Sequence, residues 1–242
     1  MYFRGKLPAR PGAIHLKLGD FVDESKLPPL PDVFGHSLAV LPGMYGNNKV
    51  GNCVLAGAAN EQNLWAREAD QPQPNFSAAG IKKQYFELTG GGDDGLDVQQ
   101  TAKWRRDVGL LDDDGKRHKI EAYLALEPGN IRHVFYGVYL FGAVGIGWRL
   151  PKQADRQFDL NIPWNFKGLT PGGGHYTPFI GRRLGMLHVF TWGRRYPVLE
   201  TSLNPTYCDE AICYVSKEGL VNQKSPDGFD YERLLNYLEA LA

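Results

Sequence analysis

The sequence predicts an α+β fold, and two observations carry the prediction. Helical patterns with recognisable caps come first along the chain, and strand patterns joined by short turns follow them, the segregation expected of helices packed on a mostly antiparallel sheet. The composition is that of a packed core, with 43% hydrophobic and 12% aromatic residues. A chain of 242 residues is long enough to bury one large domain or two closely packed subdomains.

Residues 1–45 are expected to form an extended, proline-rich arm. Pro8, Pro11, Pro28, Pro29, Pro31 and Pro42 forbid a long helix there, while Ile14, Leu16, Leu18 and Phe21 suit packing along the body. A helical subdomain is expected over 46–115. Its first helix opens at Cys53 behind Asn52, a good N-cap, and runs to about Ala69, before Gln71-Pro72-Gln73-Pro74 breaks it. The second covers 77–88, capped by Ser77 and stopped by Gly90-Gly91-Gly92. The third follows Asp97 and is ended by Gly109. The glycines with Asp93, Asp94 and Gly95 lack the alternating oxygens of a calcium loop and read as a solvated loop. Residues 112–115 read as a turn.

A β-rich subdomain with a C-terminal helix is expected over 116–242. A helix capped by Asn130 carries Ile131, Val134, Phe135 and Val138 on one face. Strands are expected at 143–148, 176–181, 186–191 and 211–215, with 182–185 as a hairpin turn. A last helix, 229–241, aligns Leu234, Leu235, Leu238 and Leu241.

Several function classes are excluded by balance and spacing. Lys+Arg and Asp+Glu both number 27, so no broad basic surface exists for nucleic acid or an anionic membrane. Arg182-Arg183 and Arg194-Arg195 read as a solvated rim. No apolar run approaches the length of a membrane span, and no signal-peptide core opens the chain. Three cysteines do not make a disulfide framework, which points to a reducing compartment and a cytoplasmic location. No Gly-x-x-x-x-Gly-Lys loop supports nucleotide hydrolysis. Cys208 and Cys213 are an odd number apart, on opposite faces if both lie in one strand, and read as buried thiols rather than a zinc site. Neither a metal nor a cofactor is expected.

The chemistry-bearing stretch is Asn47-Asn48-Lys49-Val50-Gly51-Asn52-Cys53. A cysteine in the first turn of a helix meets free backbone N–H groups and the positive end of the dipole, which favour the thiolate. No residue from Val50 to Asn60 is charged, so the helix is expected to be buried on nearly all sides. Cys53 on this evidence is either a nucleophile or a small buried hydrophobe. Among six histidines, His15 and His36 lie in the arm, His118 and His133 show no evident partner, and His188 alternates within a strand. His175 differs, because it follows Gly172-Gly173-Gly174 and opens the strand Tyr-Thr-Pro-Phe-Ile-Gly, where a rigid sheet can present a general base.

With these residues in view, the chain resembles the papain-like cysteine peptidases over most of its length. In that family a glutamine six residues before the nucleophile donates into the oxyanion hole; Asn47 stands in that place before Cys53. Gly95-Leu96-Asp97-Val98 with Ala102 and Gly109-Leu110 is similar to the family's second helix. Glu127-Pro128-Gly129-Asn130 and Ala143-Val144-Gly145-Ile146 are similar to the segment before its β-domain. His175 follows Cys53 at roughly the family's interval, and Thr191-Trp192-Gly193 matches the Ser-Trp-Gly that follows the orienting asparagine. One departure stands out. Phe190 occupies the orienting position and accepts no hydrogen bond; Thr191 can replace it only if the strand slips by one, which turns its side chain to the other face. Gly-Asn-Cys, Gly-His, Thr-Trp-Gly and Tyr207-Cys208-Asp209-Glu210-Ala211 most resemble a papain-like group of uncharacterised proteins encoded by phages and bacterial genomes.

The resemblance implies a papain-like architecture, a helical subdomain with a central Cys-bearing helix packed on a β-sheet or barrel subdomain. It implies a thiol hydrolase of peptide or amide bonds with catalytic Cys53, His175, Asn47 and Thr191. Gly51, Asn52, Gly173, Gly174 and Trp192 are expected to line the substrate cleft. The expected partner is a peptide or protein substrate. Two alternatives stand beside it: a silent scaffold, such as a phage virion component whose arm lies on other virion proteins, and a thiol acyltransferase.

Overall fold

The computed structural model describes residues 2–14, 17–20, 29–35 and 40–217. The expected C-terminal helix at 229–241 lies outside these residues, as do His15, His36, Leu16 and Phe21.

Among the described residues five α-helices and nine strands follow in order. They are β1 (Phe34–Gly35), α1 (Cys53–Glu68), α2 (Ala78–Leu88), α3 (Val98–Asp107), β2 (Leu110–Leu111), β3 (Arg117–His118) and β4 (Ala122–Leu126), then α4 (Ile131–Phe141), β5 (Val144–Leu150), α5 (Gln153–Asp159), β6 (Gly173–Arg183), β7 (Met186–Thr191), β8 (Arg194–Leu199) and β9 (Cys208–Val215). Helices first and an antiparallel sheet later is the α+β arrangement the sequence predicts. The caps hold as well: Ser77, Asp97 and Asn130 accept the N–H groups of Gly80, Gln100 and His133 at 3.0, 2.8 and 3.2 Å.

The main sheet is antiparallel in the order β4-β9-β5-β6-β7-β8, with β1 added along β6. One hydrophobic cluster joins α1, α2 and α3 to Tyr176, Ile212 and Tyr214 on one face. Another joins α4 and α5 to Val144, Ile146, Trp148 and Phe179 on the opposite face. Leu184-Gly185 and Trp192-Gly193 make the β6–β7 and β7–β8 hairpin turns with positive φ at both residues. The turn is therefore two residues long, and β6 extends to Arg183 rather than stopping at 181. Strand β6 also starts earlier than expected. Gly173 and Gly174 are already paired with Leu150 and Arg149, so His175 lies inside a strand.

The sequence misses the short strands β1, β2 and β3, and also β4, α5 and β8. Strand β8 contains Pro197 and two arginines, and it holds a proline because it forms the sheet's edge. Two bulges also escape a reading by strict alternation. One interrupts β6 between Phe179 and Gly181. The other interrupts β9 at Asp209, where Gly147 pairs with Glu210 but Trp148 with Cys208. The second bulge corrects the expectation for Cys208 and Cys213. Both face the same hydrophobic cluster rather than opposite sides of the sheet, and both are buried free thiols.

Helix α1 is buried at every residue from Cys53 to Ala66, Glu61 included. The Glu61 carboxylate accepts from Arg105 Nη1 at 2.6 Å and from the Tyr176 hydroxyl at 2.5 Å. The guanidinium lies over the Tyr214 ring at 4.2 Å. Four elements, α1, α3, β6 and β9, thus meet on one buried carboxylate. Gly57 lets α1 approach this closely, since a Cβ there meets the Tyr176 ring at 2.5 Å.

Glu61→Ala leaves Arg105 as an unpaired buried charge and is expected to cost roughly 3–5 kcal/mol of stability, read from urea midpoints. Glu61→Leu combined with Arg105→Met should recover part of that loss. A double variant no more stable than Glu61→Ala would refute the unpaired charge as the cause.

Candidate active site

Cys53 and His175 come together at the end of α1 that points to the start of β6. A cavity of about 10 Å³, with room for about one water, is lined by Cys53, His175, Asn47, Thr191 and Trp192. Five of the nine expected site residues therefore converge on one point, while Gly51, Asn52, Gly173 and Gly174 do not line this cavity. Cys53 and His175 are nearly inaccessible, at 2% and 1% exposed.

Asn52 corrects one expectation. It stands at the N-cap position of α1 but makes no capping hydrogen bond; its side chain instead donates to the Tyr45 carbonyl at 2.8 Å. The N–H groups of the first turn are consequently left to the sulfur and to whatever binds beside it. Gly51 donates its N–H to Asp93 Oδ1 at 2.8 Å, and the Tyr85 hydroxyl donates to the same oxygen at 2.6 Å. Asp93 therefore anchors the loop before Cys53 and is not simply part of a solvated loop. His118 likewise has a partner that the sequence did not suggest: its Nε2 lies 2.8 Å from Asp112 Oδ2.

The first bulge decides which side chain of β7 faces His175. Below it Gly181 pairs with His188, odd with even; above it Phe179 pairs with Val189, odd with odd. Continuing that register places Thr191, not Phe190, on the face that carries His175. The Thr191 hydroxyl lies 2.9 Å from His175 Nε2, and Phe190 is buried against Val40, Leu64, Ala143 and Ile180. His175 Nδ1 has no hydrogen-bond partner. A hydroxyl both donates and accepts, so Thr191 orients the ring while fixing its tautomer less firmly than an amide oxygen does. Trp192, held at a positive φ of 43°, lays its ring on the imidazole at 4.6 Å between centroids.

The arm's first residues lie over Cys53. Gly5 and Leu7 flank a parallel bridge of Lys6 to Leu96: the Leu96 N–H donates to the Gly5 carbonyl at 2.7 Å and the Leu7 N–H to the Leu96 carbonyl at 3.0 Å. The Lys6 N–H donates to the Gly174 carbonyl at 3.2 Å. The Phe3 carbonyl receives Asn47 Nδ2 at 3.4 Å and Trp192 Nε1 at 3.3 Å. Tyr2 stacks on Trp192 at 4.4 Å, and Arg4 binds the Leu150 carbonyl at 2.6 Å and Asp155 at 2.5 Å. Gly173 and Gly174 form the wall beside Arg4 and Lys6. At the centre, Gly5 passes so close that a Cβ on it falls 1.6 Å from the Gly51 carbonyl oxygen. The sequence identified the arm but not that it lies over Cys53; one available signal was Gly5, a lone glycine among bulkier neighbours.

Closure sets the charge state. Burial pushes the Cys53 thiol up, opposed by the backbone N–H groups of Gly5 and Tyr176 and by the Lys6 ammonium. Burial, with Arg4 nearby, pushes the imidazole of His175 down from 6.5 to about 3. The pair rests here as thiol and neutral imidazole.

No protein-family model matches the chain, and no curated protein matches it in sequence. Solved structures do. Xylellain, a cysteine protease from Xylella fastidiosa, shares 13% identity over 89% of this chain and 96% of its own, with a TM-score of 0.70. Procathepsin B S9 from Trypanosoma congolense shares 11% over 89% and 87%, with a TM-score of 0.58. A structure of the mite allergens Blo t 1 and Der p 1 shares 15% over 84% and 80%, with a TM-score of 0.56. The fold is that of the papain-like cysteine proteases.

A buried neutral histidine has a definite pH signature. Between 6.5 and about 3 the unfolded chain binds a proton at His175 that the folded chain refuses, so stability falls as pH falls through that window, by at most about 1.4 kcal/mol per pH unit. His175→Gln is expected to flatten the acid limb of urea midpoints measured from pH 7 to pH 4. An unchanged slope would rule out the neutral buried ring.

Proposed function

We propose that the chain is a thiol hydrolase of peptide or amide bonds whose cleft is closed, in this state, by its own residues Tyr2–Leu7. The observation that carries the reading is the convergence of Cys53, the unpartnered Nδ1 of His175 and the Asn47 amide on a single small cavity. A backbone carbonyl, that of Phe3, already rests against the Asn47 donor.

With a substrate in place of the arm, His175 Nδ1 takes the Cys53 proton and the thiolate attacks the carbonyl carbon. The oxyanion is met by Asn47 Nδ2 and by the Cys53 N–H. The imidazolium protonates the leaving amine, and a water activated by His175 releases the acyl group. Thr191 holds the ring through Nε2, and Trp192 shields that bond from water. Opening the cleft admits water, which lowers the desolvation that now disfavours the ion pair.

A second reading, a papain-like scaffold with a silent site, draws on the same burial of both groups. The two separate on one experiment. Gly5→Val cannot pass Gly51 and is expected to release the arm, raising the rate of Cys53 alkylation by iodoacetamide at pH 7 by roughly tenfold or more. Cys53→Ser identifies the labelled thiol. Adding His175→Ala should abolish the gain below pH 8, because the thiolate then lacks its counter-ion. If the exposed Cys53 titrates as an ordinary thiol whether or not His175 is present, the site is silent.

A further inference from the structure

Lys6 is an unusual residue for the arm of such a site. Its side chain is fully buried, and its ammonium lies 3.1 Å from Asp209 Oδ2 and 2.9 Å from Glu210 Oε1 and donates to the Leu7 carbonyl at 2.7 Å. Buried cations are rare and are kept only with close counter-charges. Both counter-charges here belong to the body, not to the arm.

Consecutive strand residues point to opposite faces, so Asp209 and Glu210 in a regular strand would not reach one ammonium. The bulge in β9 at Asp209 removes that restriction and aims both carboxylates at the same point. Opposite Glu210 in the ladder is Gly147, where a Cβ would fall 2.5 Å from the Glu210 side chain and 2.6 Å from Lys6 Cε. Any other residue there fills the space that the lysine stem uses. Glu210 is 5% exposed, and neither of its carboxylate oxygens makes a hydrogen bond, so Oε1 meets the ammonium as an ion pair only. Asp209 and Glu210 also border a cavity of about 540 Å³ under residues 9–14.

We infer that Asp209, Glu210 and Gly147 form a specificity pocket for a lysine or arginine side chain of the peptide bound in the cleft, with Lys6 filling that pocket in the closed state. This rests on the reading of Tyr2–Leu7 as the occupant of a peptide-binding cleft. The selected side chain is the one whose backbone runs beside Leu96 and the Gly174 carbonyl. Burial pushes the Glu210 carboxyl up and the ammonium beside it opposes that shift, so an entering cation holds the carboxylate charged. An apolar side chain of equal length would leave two carboxylates buried without a partner.

The test uses the full chain with Gly5→Val, or with Arg4→Asp should the first variant melt early, and a fluorescent peptide of residues 2–8. Its affinity is compared with that of the same peptide carrying norleucine in place of lysine. The lysine peptide is expected to bind at least about tenfold more tightly. Glu210→Gln, and separately Asp209→Asn, should reduce that ratio to about threefold or less. Equal affinities, a ratio untouched by Glu210→Gln, or no binding of either peptide overturns the pocket. Turnover is read apart, on peptides with lysine or leucine at that position. Lysine-dependent binding without hydrolysis of any peptide refutes the hydrolase reading and leaves the pocket standing; hydrolysis without lysine preference does the reverse.

Discussion

The buried carboxylate of Glu61 is the constraint on which the arrangement depends. It sits two turns along α1 from Cys53, and its hydroxyl partner, Tyr176, is the next residue after His175. Cys53 and His175 belong to different layers, a helix and a sheet, and apolar packing alone tolerates sliding between such layers. A charge with no route to water does not. Arg105 and Tyr176 satisfy Glu61 in one geometry, so α1 keeps one depth and one rotation against β6. The distance between Cys53 and His175 inherits that rigidity.

The same dryness that strengthens this knot governs the site. A thiol and an imidazole buried together are each driven toward the uncharged form, whereas a nucleophilic thiolate needs the opposite. The arm supplies much of the covering surface, through the Phe3 carbonyl, the close passage of Gly5 and the stacking of Tyr2 on Trp192. Site chemistry and arm position are therefore coupled. Whatever displaces the arm also changes the medium in which Cys53 and His175 titrate.

Two bulges bring side chains together in ways that strand alternation hides. In β6 the extra residue turns Thr191 toward His175 and sends Phe190 into the core. In β9 it brings Asp209 and Glu210 onto a single ammonium and returns Cys208 to the face of Cys213. A departure that looked like the loss of an orienting residue is thus a change of register that keeps a hydrogen-bonding side chain at the imidazole.

By itself the sequence determined the local features, because their causes are local. Ser77, Asp97 and Asn130 cap the helices that follow them, the uncharged run after Val50 goes to the interior, and Cys53 and His175 stand out by residue type and setting, whereas Asn47 and Thr191 came only with the family resemblance. Even Glu61 offered a signal, as the single charge inside an otherwise apolar helix face, though nothing local names Arg105 or Tyr176 as its partners. Tertiary structure alone decided the rest. Bulges depend on how neighbouring strands match in length, the failure of Asn52 to cap depends on Tyr45, and the seat of Lys6 joins residues about 200 positions apart in the chain. Such contacts arise from burial and from charge satisfaction after the layers have met, and no window of sequence contains both partners.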